Sequence, residues 1–400
     1  MTDLFNPVAV GPGQARFPTL DQVWLAAALA VVLIRALAWP IIPSDFWWQL
    51  AYGRWIVENG SIPAVDHFSY TRAGEPYFDQ PWLAQVIMYW IYRIGGAALS
   101  IVALAALLGL TYAMLLRLSA RVSGSVRLSA AAAILSLPVA MTNWSMRSQA
   151  FALPLFVAYM AVLADWRIRR GEPGARPGHK LWLLPLRLVA WVNLHGSFVL
   201  GGVLICLVFA GELLAIVIGR RDAALGSLKP LVMWGAVTAV AVFLNPSGPA
   251  VFRYVLGLVS NPAVQGIVEE WQAPAAGTVV GNLFFAYAAL VAVAAVFARR
   301  RPDAVEVLAL ATFFWLALGG ERHVIWFALI SVPFLAKQAA SVAGAGEGAR
   351  QGRRGLNLAL LGTMALAVVL VLPPGKRHLS LPPALQGLVS ADTPGETVEF

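Results

Sequence analysis

Cysteine is almost missing from this chain. The single copy among 400 residues, Cys206, lies inside an apolar run and reads as a small core residue, so no disulfide framework supports the fold. Charge is scarce too. Only 12% of residues are Asp, Glu, Lys or Arg, against about 25% in soluble domains, which excludes an ordinary water-facing globule. No Walker loop, G-x-G-x-x-G fingerprint, G-x-S-x-G elbow or Cys/His metal pair occurs; an ATP-driven pump or a nicotinamide enzyme is therefore not expected. The opening stretch "MTDLFNPVAVGPGQARFPTLDQ" lacks a charged region followed by a small-residue cleavage site, so the first apolar run reads as a retained anchor. The net charge of +9 reflects cytoplasmic loops and anionic lipid, and no nucleic-acid partner is expected.

What the chain has instead is hydrophobicity, 59% of its residues, in repeated runs of bilayer-spanning length. These runs are too long and continuous for barrel strands, and only helices or closed barrels satisfy the backbone in lipid. The expected fold class is all-α, a polytopic transmembrane helical bundle. About eleven spans fit, near 21–42, 97–118, 127–142, 149–166, 180–194, 198–219, 229–246, 281–299, 304–320, 323–342 and 355–373. The connections at 143–148, 195–197 and 321–322 are tight enough to mark broken or re-entrant spans. With the N-terminus cytoplasmic, the inner connections carry 18 Lys and Arg and the outer segments 8. That asymmetry places the N-terminus inside and the C-terminus outside, and the expected location is a bacterial inner membrane. Residues 1–373 form the expected membrane domain, with a long first extracytoplasmic loop at 43–96 and a second outer segment from about 246 to 280. Within the first loop "PWLAQVIMYWIYRIGG" reads as an interfacial helix. The Pro-rich stretch 374–400 reads either as a tail without a core or as the start of a soluble outer domain.

The unusual polar residues collect on the outer side: Asp45, Asp66, His67, Glu75, Asp79, Arg147, His195, Asn245, Glu269, Glu270, Arg322 and His323. The inner loops read as plain Arg-rich connectors. A polar cluster on one side of a bundle suggests a site opening to that side. Asp45, just after Pro43 at a span mouth, suits a general base or a ligand for a divalent cation; the bland reading is a helix cap beside an aromatic belt. Trp48, with Trp47 and Trp55, suits sugar stacking or interfacial anchoring. Asp66, on a loop broken by Pro63, is free to fold back toward Asp45 as a second carboxylate, or it closes its own turn. Glu75 and Asp79 read as solvated loop charges. Arg147 and Arg322, beside apolar stretches, each need a partner: a lipid phosphate or diphosphate, or an ion pair with Glu269 or Glu270. His323 adjoins Arg322. His195, before Gly196, suits a phosphate contact or a structural role. The spacing of His67, His195 and His323 carries no zinc signature.

These residues carry a family resemblance. The string "DFWWQLAYGRWIVENGSIPAVDHFSYTRAGEPYFDQPWL", supported by "RSQAFALPLF", "NLHGSF", "LNPSG" and "VEEW", resembles the GT-C superfamily of membrane glycosyltransferases, and more closely a group of bacterial GT-C-type membrane proteins. The resemblance implies a polyprenyl-phosphate or polyprenyl-diphosphate sugar as donor and membrane lipid as partner. It implies the acidic motif at Asp45, with Asp66 a candidate second catalytic carboxylate, and Arg147, His195 and Arg322 toward the donor phosphate. Glu269, Glu270, His323 and Trp48 complete the expected substrate-binding set. A divalent cation, Mg or Mn, held by Asp45 and Asp66, is the one cofactor this chemistry would accommodate. Two other readings stand beside the transferase. One is a transporter or flippase of a lipid-linked or anionic substrate; the other is a non-catalytic GT-C-like scaffold subunit.

Overall fold

The computed structural model describes residues 18–43, 45–170, 178–220, 224–344, 353–376 and 378–393. Parts of three Arg-rich connections (171–177, 221–223 and 345–352) and the end of the tail (394–400) lie outside the described residues. The architecture is an all-α polytopic bundle; the pairings of β type among the described residues are two isolated bridges.

Fourteen helices carry it: α1 (Leu20–Ala38), α2 (Phe46–Asn59), α3 (Trp82–Ser123), α4 (Val126–Ala140), α5 (Ser148–Arg169), α6 (Leu183–Leu194), α7 (Val199–Val217), α8 (Lys229–Ala241), α9 (Ala250–Val259), α10 (Pro262–Ile267), α11 (Val279–Val296), α12 (Ala304–Leu318), α13 (Val324–Ala343) and α14 (Arg354–Leu370). The stretches containing α1, α3, α4, α5, α7, α11 and α13 are long and apolar enough to cross a bilayer. The other four expected spans coincide with α6, α8, α12 and α14, which are shorter. With 12 residues, α6 rises about 18 Å, well short of a hydrocarbon core of about 30 Å. The segment after α8 contains the apolar helix α9.

Local sequence sets the ends of these helices. Thr19 and Gln22 exchange hydrogen bonds in a capping box that starts α1, satisfying donors with no partner in the first turn. Asp303 and Glu306 do the same for α12. The α3 helix is broken at Gly95–Gly96, where Gly96 has φ 59° and ψ −152°, a region open essentially to glycine alone. The break separates the expected interfacial helix from the span that follows. Gly53 on α2 faces α3 so closely that a Cβ would sit 2.2 Å from the Gln85 carbonyl oxygen.

The core centres on α5 and α13. Phe156 of α5 lies 6.4, 5.3 and 5.0 Å from the rings of Trp191, Phe313 and Trp326, and all four side chains are fully or almost fully buried. Packing from α6, α12 and α13 onto one ring ties those helices to α5. The tight turn between α6 and α7 brings His195 to one end of this core. The start of α13 brings Arg322 and His323 to the same end.

The opposite end corrects the expectation of plain Arg-rich connectors. Buried Asp165 takes ion pairs from Arg121, Arg169 (3.1 Å) and Lys180 (3.5 Å). Buried Glu212 takes Arg167 at 2.7 Å and Arg170 at 3.3 Å, and Arg167 also reaches Asp303 at 2.9 Å. Lys337 of α13 pairs with Glu306 at 2.6 Å. These pairs join α3, α5, α7, α12 and α13. Asp165 and Glu212 were passed over in sequence because they lie within apolar helices.

The α1 and α14 helices run parallel. The Asn357 amide donates to the Pro18 carbonyl at 2.8 Å. At the other end the Ile41 N–H donates to Leu388 O (2.9 Å) and the Ser390 N–H to Ile41 O (2.8 Å). The described part of the tail therefore seals the mouth of α1.

Two outcomes follow for stability, read by denaturation in detergent. Glu212→Ala removes the buried carboxylate shared by Arg167 and Arg170 and should cost about 3–5 kcal/mol. Gly53→Val forces α2 away from α3 and should lower the melting temperature. Wild-type stability in either variant would contradict the packing described.

Candidate functional site

The site forms where α5, α7 and α13 begin. Helix N-termini carry partial positive charge, and this end of the bundle also gathers basic side chains. Arg147, immediately before α5, is almost fully buried. One of its nitrogens, Nη1, pairs with Glu270 Oε2 and lies 3.7 Å from Asp45 Oδ2. Its Nη2 donates to Gln149 Oε1 at 2.6 Å. Arg322 Nη1 reaches the other Glu270 oxygen at 3.4 Å, and its guanidinium lies 4.1 Å above the Trp271 ring. One carboxylate thus bridges two arginines on the two central helices. The backbone fixes the arrangement: Glu321 N–H donates to Gln272 O at 2.9 Å, and Asn143 and Gln149 amides donate to Glu321 O and Arg322 O at 3.2 and 3.4 Å.

Asp45 does not cap α2. Its Oδ1 accepts from Trp48 Nε1 at 3.2 Å while Oδ2 faces Arg147, so the plain helix-cap reading is replaced by a half-exposed carboxylate beside a guanidinium. Behind it, Gln49 and Ser148 join α2 to α5: the Ser148 N–H donates to Gln49 Oε1 at 2.9 Å.

His195 has a defined tautomer. The Ser197 N–H donates to His195 Nδ1 at 3.1 Å, and Ser197 Oγ lies 2.8 Å from the same nitrogen while accepting from Trp191 Nε1. A nitrogen that accepts an N–H carries no proton, so the proton sits on Nε2. Burial pushes the His195 pKa far down, and Arg322, Arg147 and His323 add to the shift. Burial works against the charge of Glu270, but Arg147 and Arg322 outweigh it and hold that carboxyl below its ordinary range. Two buried nitrogens here, Arg147 Nε and His323 Nδ1, have no hydrogen-bond partner.

Of the expected residues, the structure brings together Asp45, Trp48, Arg147, Glu270, Arg322 and His323, with His195 within their electrostatic reach. The other two expected site residues, Asp66 and Glu269, do not join it. Asp66 Oδ1 accepts from the Phe68 and Ser69 N–H groups, both at 2.9 Å, and from Tyr52 Oη at 3.3 Å. The Ser69 and Phe68 bonds hold its pKa at about 2. Asp66 shapes its own turn and makes no contact with Asp45. Glu269 is exposed beside the bridge, and His67 stacks on Trp55 at 4.6 Å. Asp66 Oδ1 is taken up by these three donors, and Asp45 Oδ2 faces an arginine. Among the described residues no three His, Cys, Asp or Glu side chains form a metal-binding group.

Three contributors escaped the sequence reading. Gln149 follows Arg147 by two residues and braces both arginines. Tyr254 of α9 has its pKa raised by burial, then by Asp79, and feels Arg322 and Asp45 as well. Asp79 is a correction: expected as a solvated loop charge, it is buried, and desolvation lifts its pKa to about 7.

No known family model and no curated protein matches the sequence. Among solved structures the chain is similar to the crystal structure of the oligosaccharyltransferase of Archaeoglobus fulgidus in its apo form. The TM-score is 0.50 at 14% identity, over 87% of this chain and 55% of that one. The chain therefore matches about half the length of that protein. At this identity the likeness is one of fold, that of a polytopic all-α bundle.

The geometry at His195 makes a spectroscopic prediction. Histidine nitrogen NMR of labelled protein should show a neutral ring protonated on Nε2 and unchanged from pH 8 down to 6. An imidazolium signal in that range would contradict the assignment.

Proposed function

We propose that the chain is a GT-C-type membrane glycosyltransferase that moves a sugar from a polyprenyl-phosphate or polyprenyl-diphosphate donor to an acceptor at the extracytoplasmic face of a bacterial inner membrane. The observation that carries this reading is the convergence of Arg147, Arg322, His195 and His323 beside Asp45, with Arg147 Nε and His323 Nδ1 still without partners. Guanidinium groups match phosphate oxygens geometrically, and the unfilled buried Nε–H of Arg147 favours an anion that supplies an acceptor.

In the reaction proposed, Asp45 takes the proton of the acceptor as its hydroxyl or amide attacks the anomeric carbon. The bond from that carbon to the phosphate oxygen breaks, and the leaving phosphate gains charge. Arg147, Arg322 and the Nε2–H of His195 stabilise that charge in a site shielded from water. Formal charge adds a requirement: Asp45 and Glu270 cancel Arg147 and Arg322. Glu270 is thus an internal anion in the phosphate seat, and the donor phosphate must displace it. Trp48 offers a ring face beside Asp45 for a sugar.

A nearby surface supports a lipid-linked donor. An apolar groove of about 670 Å³ runs between α7 and α8 and is lined by Phe198, Gly202, Cys206, Phe209, Val232 and Phe252. Phe198, which lines one end of the groove, lies in the same turn as His195. A flexible isoprenoid chain fits such a surface.

The test follows consumption of a panel of polyprenyl-linked sugars by purified protein, with and without divalent cation. Asp45→Asn should lower turnover about 10²–10⁴-fold, and Arg147→Ala or Arg322→Ala about 10²–10³-fold. Glu270→Gln should bind polyprenyl phosphate more tightly than wild type; weaker binding would put Glu270 on the substrate instead. Binding without consumption across donors and acceptors would overturn the transferase in favour of transport or a scaffold role.

A further inference from the structure

Below the site, two buried side chains share one hydrogen bond and leave one more to be made. Gln85 Nε2 donates to Asp79 Oδ1 at 2.7 Å. The remaining oxygens, Asp79 Oδ2 and Gln85 Oε1, are both buried and both without a donor. Asp79 is 5% exposed and Gln85 0%. Two unsatisfied acceptors in one contact are unfavourable if the carboxyl is ionised. A single proton on Asp79 Oδ2 removes the conflict, because the acid then donates to Gln85 Oε1 and closes an acid–amide ring.

The surroundings offer no other compensation. No ion pair reaches Asp79 among the described residues. The titratable groups around it are Tyr77 from its own loop, Tyr254 from α9 and, behind Tyr77, Tyr52 from α2. The α6–α7 turn, which Gln80 meets at Gly196, carries neutral His195. Gly53 of α2 presses on the Gln85 backbone, so the amide has little room to turn away.

We propose that Asp79 is a positioning residue that works as a carboxylic acid, its proton shared with Gln85 to lock the first outer loop against the candidate site. The locked segment reaches three helices. Tyr77 stacks on Tyr52 of α2 at 4.6 Å, and Phe78 stacks on Tyr254 of α9 at 4.8 Å. Gln80 Nε2 donates to Val192 O at 2.7 Å, and Trp82 Nε1 donates to Asn193 Oδ1 at 2.9 Å, both on α6. Ionisation of Asp79 breaks the ring and loosens the brace that sets Tyr254 beside Arg322 and Asp45. Burial places that ionisation at about pH 7, inside the range an outer membrane face meets.

Asp79→Asn is the decisive variant, because an asparagine rebuilds the ring with its own amide and cannot ionise. The full chain in detergent is melted across pH and followed by tryptophan fluorescence. The folded pKa of about 7 lies above the ordinary value of 3.8. Wild type therefore loses stability as pH rises between those values and levels off above them. Asp79→Asn lacks that loss, so its melting temperature should exceed wild type by a margin that grows to about pH 7 and then holds. Infrared spectra should show a protonated carboxyl band in wild type at pH 6 that fades above pH 7 and is missing in the variant. Gln85→Leu, which removes both the donor to Oδ1 and the acceptor of the Oδ2 proton, should shift that band to higher frequency, as for a carboxylic acid without hydrogen bonds. Wild-type turnover should fall about tenfold per pH unit above the transition, and the variant's should not. A variant less stable than wild type at pH 8, or an infrared band absent at pH 6, overturns the proposal: Asp79 would then be an ionised carboxylate. If the variant does not fold, the infrared titrations of wild type and Gln85→Leu decide the question. The turnover arm alone rests on the proposed transferase, and its failure beside positive melting and infrared results would count against that reaction and not against the ring.

Discussion

The bridge from Arg147 through Glu270 to Arg322 is the interaction on which the functional end of this molecule depends. It joins the starts of the two most buried helices, α5 and α13, and pins the segment between α10 and α11 across them. An arginine at bilayer depth is unfavourable without a partner, so the bridge lets two such residues sit at the ends of an apolar core. On the proposed reading, the same neutralisation keeps them ready for another anion. A phosphate offers more acceptors than one carboxylate, and the unfilled nitrogens of Arg147 and His323 are where the additional bonds would form.

Much of the architecture was legible in sequence, because lipid leaves the backbone so few choices. Every expected span has a helix at its place, and the "IGG" sequence marked the break in α3. What was not legible was length: α6 and α12 are apolar but short, and composition does not separate a full crossing from a partial one. The site was readable in part for a related reason. Arg147 and Arg322 stand out against apolar neighbours, and Asp45 against a span end. Asp66 and Asp79 look alike in sequence, two carboxylates in a polar loop. Their environments separate them. Asp66 is wrapped by N–H donors at the surface, whereas Asp79 is held under aromatic rings beside an amide. Burial of a loop residue depends on what packs over it, here Tyr77 and α9, far apart along the chain.

The two ends of the bundle use charge differently. At the Arg-rich end Asp165, Glu212 and Asp303 each take two or more basic partners, and the pairs join five helices as fixed fastenings. At the other end, carboxylates and guanidinium groups balance through one mobile-length side chain, Glu270, and leave donors unfilled. The first arrangement holds helices in place; the second leaves room for exchange.

The pairing of Ile41 with Leu388 and Ser390 bears on how the molecule is assembled. Ile41 is inserted early, four residues before Asp45, but its backbone partners are made only after α14 has entered the membrane. Until then the mouth of α1 is an open edge, and the segment carrying Asp45 has nothing to fasten it from that side. Fastening of this segment is thereby coupled to insertion of α14. A molecule stalled before α14 would lack both backbone bonds at the mouth of α1, four residues from Asp45.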